Sequence, residues 1–460
     1  MKSAKFVLIG AGSSSFTTAV LCGLLRSDEW AGSTVALVDI DPETLEIIEK
    51  LARKIVAQQG NALEIVASTE RRDVLEGADY VTTTISVGGD DAWQADLNIP
   101  AAHGVVQSVA DTVGIGGMSR AFRHAPVLVD IAGDMEELCP DATLFNYSNP
   151  MMVNTRAVTR ETSIRCVGLC IGCELLRRDL CRIIKADPAA SWLWAGGINH
   201  FSFGYRFLVD GRDAYPLVRA RLAQAAGEAA EGLREMLAFY PSARAEADAP
   251  YEGRNPFCAE LLEATGYYPG PGDSHVAEFL PHFIRTEEDR RRYGLDLYDI
   301  ERKRQHTVSF LEKFRSAAES SDPVDVDGLI GSTTAEEAQV IEIIRAVRNG
   351  GREMFFVNLP NRGQIPNLPE DAVVEGPALT TPEGLVPLVL GELPEPIRGW
   401  TDRWIDWGEL AIDAALSGNR ETAVQCLAAD PGCIGLPAAR RILDELLAAN
   451  GRHMKYFAQG

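Results

Sequence analysis

Two glycines and a carboxylate near the start of this 460-residue chain have the types and spacing to do chemistry. The run Gly10-Ala11-Gly12-Ser13-Ser14-Ser15-Phe16 follows four apolar residues, 6–9, and leads into a stretch with helical spacing. Gly10 permits a tight turn and Gly12 lets backbone approach a pyrophosphate. A helix opening near Phe16 turns unpaired N–H groups toward negative charge, with Ser13 and Ser14 in the phosphate turn. Ser15 stands where a third glycine is usual, and it too is small. Asp39 ends a second apolar run, 35–38. A carboxylate there holds both ribose hydroxyls and repels a 2′-phosphate, so the expected cofactor is NAD rather than NADP. Capping the next helix is the competing job for Asp39, and Asp41 is better placed for it.

Further along stand Val167-Gly168-Leu169-Cys170-Ile171-Gly172-Cys173 and Gly197-Ile198-Asn199-His200-Phe201. Cys170 and Cys173 have C-x-x-C spacing, but no second such pair exists, so a four-ligand structural zinc site is unsupported. On residue type alone Cys170 reads as a buried thiol and His200 as a satisfied core histidine. A third run, Gly266-Tyr267-Tyr268-Pro269-Gly270-Pro271-Gly272-Asp273-Ser274-His275, brings two phenols, a carboxylate and an imidazole together in what otherwise reads as a Pro/Gly turn.

The elements that must position these residues follow from periodicity. Strand-like segments at 6–9, 34–39, 65–67 and 80–85 alternate with helix-like ones at 16–26 and 42–59, the pattern of a parallel sheet covered by helices. Residues 126–138 carry helical spacing, 142–147 a short strand, and 354–358 a late strand. Strand-like pieces at 192–194 and 201–209 precede helical runs at 216–239, 296–318, 334–349, 400–416, 420–428 and 436–449. The expected architecture is α/β: a Rossmann-type, doubly wound parallel sheet over 1–190, then an α+β substrate and metal domain over 191–460. No repeat, low-complexity tract or long linker interrupts the chain.

Composition narrows the function. With 44 Lys+Arg against 66 Asp+Glu the formal net charge is −22. Such a field repels phosphate backbones and anionic lipid, so neither nucleic acid nor a membrane surface is an expected partner. The nine scattered cysteines fit reduced thiols and a cytoplasmic location. No stretch reaches the roughly 18 uninterrupted apolar residues a spanning helix needs.

Gly10-x-Gly12, Asn146-Tyr147-Ser148-Asn149-Pro150, Gly168-Leu169-Cys170, Asn199-His200 and Val357-Asn358-Leu359-Pro360-Asn361 stand in the order and approximate spacing of glycoside hydrolase family 4. Asp111-Thr112-Val113-Gly114-Ile115-Gly116-Gly117, followed by Arg120 and Arg123, extends the match, as does 361–369, and the chain resembles that family over nearly its whole length. The resemblance implies an NAD- and divalent-metal-dependent glycosidase, outside the usual two-carboxylate scheme, on a fold related to lactate and malate dehydrogenases. It implies NAD-mediated oxidation at sugar C3, deprotonation at C2, elimination of the C1 substituent, addition of water and re-reduction. Cys170 and His200 match the metal ligands, with Mn the expected ion. Asn149 matches a substrate contact, and His275 is a further candidate for one. Asp273 is the favoured base, with Tyr267 and Tyr268 as alternatives, since a carboxylate needs no help to ionise near neutral pH. Family members are usually dimers or tetramers.

The chain also departs from the family. Ile171 follows the metal cysteine where the family commonly has a proton-bearing residue; Asp111 and His275 are the candidates to serve instead. Trp93 falls where an arginine is frequent and Leu97 where a glutamate is, which argues against a 6-phosphorylated sugar. Trp93 either stacks on a sugar face or belongs to the core, and Arg285 is a candidate partner for a substrate carboxylate or hydroxyl. The expected substrate is therefore a non-phosphorylated, α-linked glycoside: an α-hexuronide, α-glucoside or α-galactoside. The alternative is an NAD-dependent dehydrogenase or epimerase with net hydride transfer to a sugar or hydroxy acid.

Overall fold

The structure is a computed structural model that describes residues 3–13, 16–25, 28–60, 62–225, 233–237, 239–243, 253–330 and 339–457. Six strands form its parallel half: β1 (Lys5–Ile9), β2 (Thr34–Val38), β3 (Glu64–Ser68), β4 (Tyr80–Thr83), β5 (Thr143–Asn146) and β6 (Arg165–Gly168). They lie in the order 3-2-1-4-5-6, every neighbouring pair parallel. Val7, Leu8, Val35 and Leu37 are buried because helices cover both faces, which is why these strands read as continuous apolar runs rather than alternating ones. The helix Pro42–Gln59 starts at a proline, is capped by the Asp41 side chain on Glu43 N, and ends at Gly60 with φ 66°. Asp39 is thus free of the capping job.

The second half adds β7 (Ser191–Ile198), β8 (Phe201–Val209), the two-residue β9 (Arg212–Asp213), β10 (Tyr268–Gly270), β11 (Met354–Pro360), β12 (Val373–Thr381) and β13 (Gly384–Pro387). These pair antiparallel. They join the parallel half where Asn358 of β11 meets Gly168 of β6, and β12 meets β7 at Glu375 and Gly197. One 13-stranded sheet therefore runs through the boundary expected near residue 190.

Several elements differ from expectation. Residues 89–102, to which no helix was assigned from periodicity, form the helix Gly89–Ala102, with Pro100 tolerated in its last turn. The helix expected from residue 126 begins twelve residues earlier, as Gly114–Leu138. Its glycine-rich opening hides a helix start. The 266–275 turn contains β10, and β12 and β13 were not foreseen, since Pro, Gly and charges break their alternation. Of the run 216–239, the structure describes Tyr215–Ala225 and Leu233–Leu237, and of 334–349 it describes Gln339–Arg348. All nine cysteines are free thiols. No helix of the described residues is long and apolar enough to cross a membrane.

Candidate active site

The phosphate turn is built as its residue types require. Gly10 takes φ 92°, and Gly10 N and Ala11 N donate to Val38 O at 2.8 and 2.9 Å. A Cβ on Gly12 would lie 2.5 Å from Thr44 Cγ2, so only glycine fits. Asp39, just past the end of β2, receives Gly12 N at 2.8 Å, and Ile40 beside it is 92% exposed. Ser13 continues the turn; Ser14 lies outside the described residues, and Phe16 opens the helix Phe16–Leu25. Turn, carboxylate and helix opening together fit a dinucleotide.

A second constellation forms around Asp111. The loop carrying it lies so close to the helix Gly114–Leu138 that a Cβ on Gly116 would be 2.5 Å from Ala110 Cβ, and one on Gly117 2.8 Å from the Thr112 carbonyl carbon. Gln107 ties the loop to the helix start, donating to Val113 O and accepting from Gly116 N, both at 2.8 Å. Ala110 is held at φ 58°. From the opposite side Glu278 accepts Val109 N at 2.6 Å and Ala110 N at 2.8 Å. Asp111 is therefore presented by a clamped backbone.

His200 arrives from the tight turn between β7 and β8, at φ 62°, and His275 from the short helix Asp273–Val276. One ligand atom each from Asp111, His200 and His275 lie within 4.8 Å of one another, and the two imidazole rings are 4.2 Å apart. Thr112 Oγ1 donates its single proton to Asp111 Oδ1 at 2.6 Å and so accepts from His200 Nδ1–H at 2.8 Å. That fixes the tautomer and leaves the Nε2 lone pair of His200 for a ligand. Asn149, after β5, donates Nδ2 to Asp111 Oδ2 at 2.9 Å.

Electrostatics agree with this geometry. Burial pushes His200 down to about 3 and lowers His275, so both rings are neutral near pH 7. Burial opposes ionisation of Asp111, but the histidines and Arg120 pull it below the usual carboxylate range, and Arg120 is the permanent cation of the group. Burial, with Glu375 and Asp111 nearby, raises the Cys170 thiol, which sits beside Asn199 and accepts Gly172 N at 3.2 Å. The sulfur stays outside the closest trio, so Cys170 is near the site but not within that 4.8 Å group. A carboxylate, two imidazoles and an adjacent sulfur suit a first-row divalent transition metal.

Several polar atoms have no partner among the described residues: Arg120 Nη1, Asn149 Oδ1, His275 Nδ1 and Glu278 Oε2. Buried groups left this way call for a ligand. Arg120 also donates Nε to Asn149 O at 3.2 Å, whereas Arg123 of the same motif is spent on Asp96 at 2.6 Å.

Other expected residues stand elsewhere. The Asp273 carboxylate accepts Phe257 N and Cys258 N at 2.8 and 2.9 Å, capping the helix Pro256–Thr265. Tyr268 is buried in β10 with its hydroxyl 3.4 Å from Asp179, and Tyr267 packs on the ring of Tyr205. Trp93 belongs to the core: it donates Nε1 to Val109 O at 2.7 Å, stacks on Tyr298 at 4.7 Å, and has Arg120 over its ring at 5.2 Å. Arg285 is exposed. Gln107 was not singled out from sequence, and Thr112 and Arg120 only within a motif; their nearness to Asp111 along the chain was the available signal.

Two family models match: Family 4 glycosyl hydrolase over residues 5–185, and its C-terminal domain over 195–433. The chain belongs to glycosyl hydrolase family 4. An α-galactosidase of Bacillus subtilis (strain 168) is 31% identical over 453 residues, covering 97% of this chain and 98% of that one. An α-glucosidase of Erwinia rhapontici is 30% identical over 447 residues, 93% of each chain. An α-galacturonidase of the same Bacillus strain is 28% identical over 459 residues, again 93% of each. The fold matches that of a 6-phospho-α-glucosidase from gut microorganisms, solved in complex with NAD and Mn²⁺, with TM-score 0.79, 19% identity, and 98% and 99% of the two chains covered. This family 4 chain is a glycoside hydrolase.

Proposed function

We propose that this family 4 enzyme hydrolyses a non-phosphorylated, α-linked glycoside, a hexuronide in preference to a neutral hexoside, with NAD on the Gly10–Asp39 turn and a divalent cation, Mn²⁺ among the candidates, beside it. The observation that carries the reading is the convergence of Asp111, His200 and His275 within 4.8 Å. His200 through Nε2 and Asp111 would hold the cation, with Cys170 as the neighbouring thiolate donor. A bound cation supplies Lewis-acid polarisation of sugar oxygens, and bound NAD supplies a reversible hydride acceptor.

The chain's own groups do the rest. His275 is neutral, and its Nδ1 has no partner among the described residues, so it takes the role of base expected of Asp273. Arg120 Nη1 offers a fixed donor to a substrate oxygen, the feature that favours a carboxylate-bearing sugar. Asn149 Oδ1 accepts from a sugar hydroxyl while its Nδ2 stays on Asp111.

A panel of p-nitrophenyl α- and β-hexosides and hexuronides with NAD⁺, Mn²⁺ and reductant tests the reading. Fastest release is expected from an α-hexuronide, without net NADH; NADH accumulating while the glycoside stays intact identifies a dehydrogenase instead. His275→Asn is expected to lower kcat by at least about 10²-fold with Mn²⁺ affinity kept. Parallel loss of Mn²⁺ binding makes His275 a ligand rather than the base.

A further inference from the structure

A cavity of ≈ 360 Å³ is lined by Cys170, which lies near the site, and by Ile171. Trp192, Met354, Phe355 and Phe356 line it as well. The sheet register explains the placement. Asn358 is level with Gly168, and β11 runs against β6, so Phe356 and Met354 lie beyond the carboxyl end of β6, where Cys170 and Ile171 follow. That is the side of a parallel sheet on which ligands bind. Trp192 is 37% exposed and lies nearly parallel to Trp194, ring centres 5.4 Å apart, so it offers a flat aromatic surface supported from behind.

The two carboxylates lining the cavity are both engaged. Glu174 receives Arg177 Nε at 2.7 Å and Arg178 Nε at 3.1 Å, and Glu342 receives Arg345 Nη1 on both oxygens at 2.6 Å. Guanidinium donors thus occupy both oxygens of each. Ile171 has no proton to give.

We propose that this cavity is the leaving-group subsite and that it takes an aromatic aglycone. The inference rests on the glycosidase reading of the Asp111–His200 site. In the bond-breaking step the C2 proton goes to the base, its electron pair forms the C1–C2 double bond, and the C1–oxygen pair leaves on the aryl oxygen, which then takes a proton from water. A phenol ionises near pH 10 and water only near 15.7, so an aryl oxide departs without the proton that Ile171 cannot give, whereas a sugar alcohol does not. The aromatic side chains of the lining and the apolar Ile171 thus select the same class of leaving group.

The test compares methyl, p-nitrophenyl and disaccharide glycosides of one glycone and anomer on the holoenzyme, with the free glycone incubated in D₂O to follow exchange at C2. The aryl glycoside is expected to have the highest kcat/KM. Trp192→Ala is expected to raise its KM about tenfold while leaving the methyl glycoside within about twofold, the size of one lost aromatic stack. Ile171→Asp is expected to raise kcat for the disaccharide at acidic pH. Saturation-transfer NMR of p-nitrophenol on the metal-free protein is expected to give a signal that Trp192→Ala abolishes. A disaccharide turned over better than the aryl glycoside, or Trp192→Ala slowing all three equally, overturns the subsite while C2 exchange upholds the glycosidase. No C2 exchange and no cleavage of any glycoside overturns both.

Discussion

Asp273 shows how a residue of suitable type can be spent on structure. Its two oxygens receive two backbone N–H groups at the start of Pro256–Thr265, a capping interaction worth about 0.5–2 kcal/mol. Asp273→Ala is expected to lower the melting temperature, with Asp273→Asn retaining most activity; an Asn variant with unchanged melting and no turnover restores Asp273 as base. The Thr112 hydroxyl links Asp111 to His200. Thr112→Val keeps the volume and removes that link, so Mn²⁺ affinity measured by calorimetry is expected to fall about 10- to 100-fold, while Thr112→Ser keeps it. Neither job is visible in residue type: an aspartate in a Gly-rich run can serve equally as a base or a cap.

Among the elements, the loop before Gly114–Leu138 and the segment after β10 matter most, because Glu278 joins them. One carboxylate oxygen holds Val109 N and Ala110 N, so the backbone presenting Asp111 is tied to the segment presenting His275. Gln can make the same two acceptor contacts and Ala cannot. Glu278→Gln is expected to keep near-normal kcat/KM at pH 7, and Glu278→Ala to lose about tenfold or more in kcat through misplacement of Asp111; equal effects of the two variants refute the clamp. The parallel strands and the helix Pro42–Gln59 were legible because apolar runs, Asp41, Pro42 and Gly60 are local signals. The helix start at Gly114 was not. Its glycines are there for the close approach of residues 110–112, which the chain order does not reveal.

For the molecule as a whole, buried carboxyl groups set the response to pH. Burial raises Glu278 to about 8, Glu375 to about 7 and Asp430 to about 6. Their folded values lie above the unfolded ones, so the stabilisation they give by holding protons is complete below about pH 4 and is lost as pH rises through 6 to 8. The metal-free protein is expected to melt at progressively lower temperature between pH 6 and 8.5, with a shallower slope above pH 7 in Glu278→Gln; a flat wild-type profile contradicts the assignment.

The residue order alone determined the dinucleotide turn, the alternating half and the family, because each is written in short contiguous patterns that fold by local geometry. Tertiary structure alone decided which carboxylate joins His200, that Asp273 caps a helix, that Trp93 is packed away, and that β11 carries aromatic side chains past the end of β6. Those outcomes depend on which distant segments come within hydrogen-bonding reach, and a side chain's partner is chosen by the packing of the whole sheet and its helices.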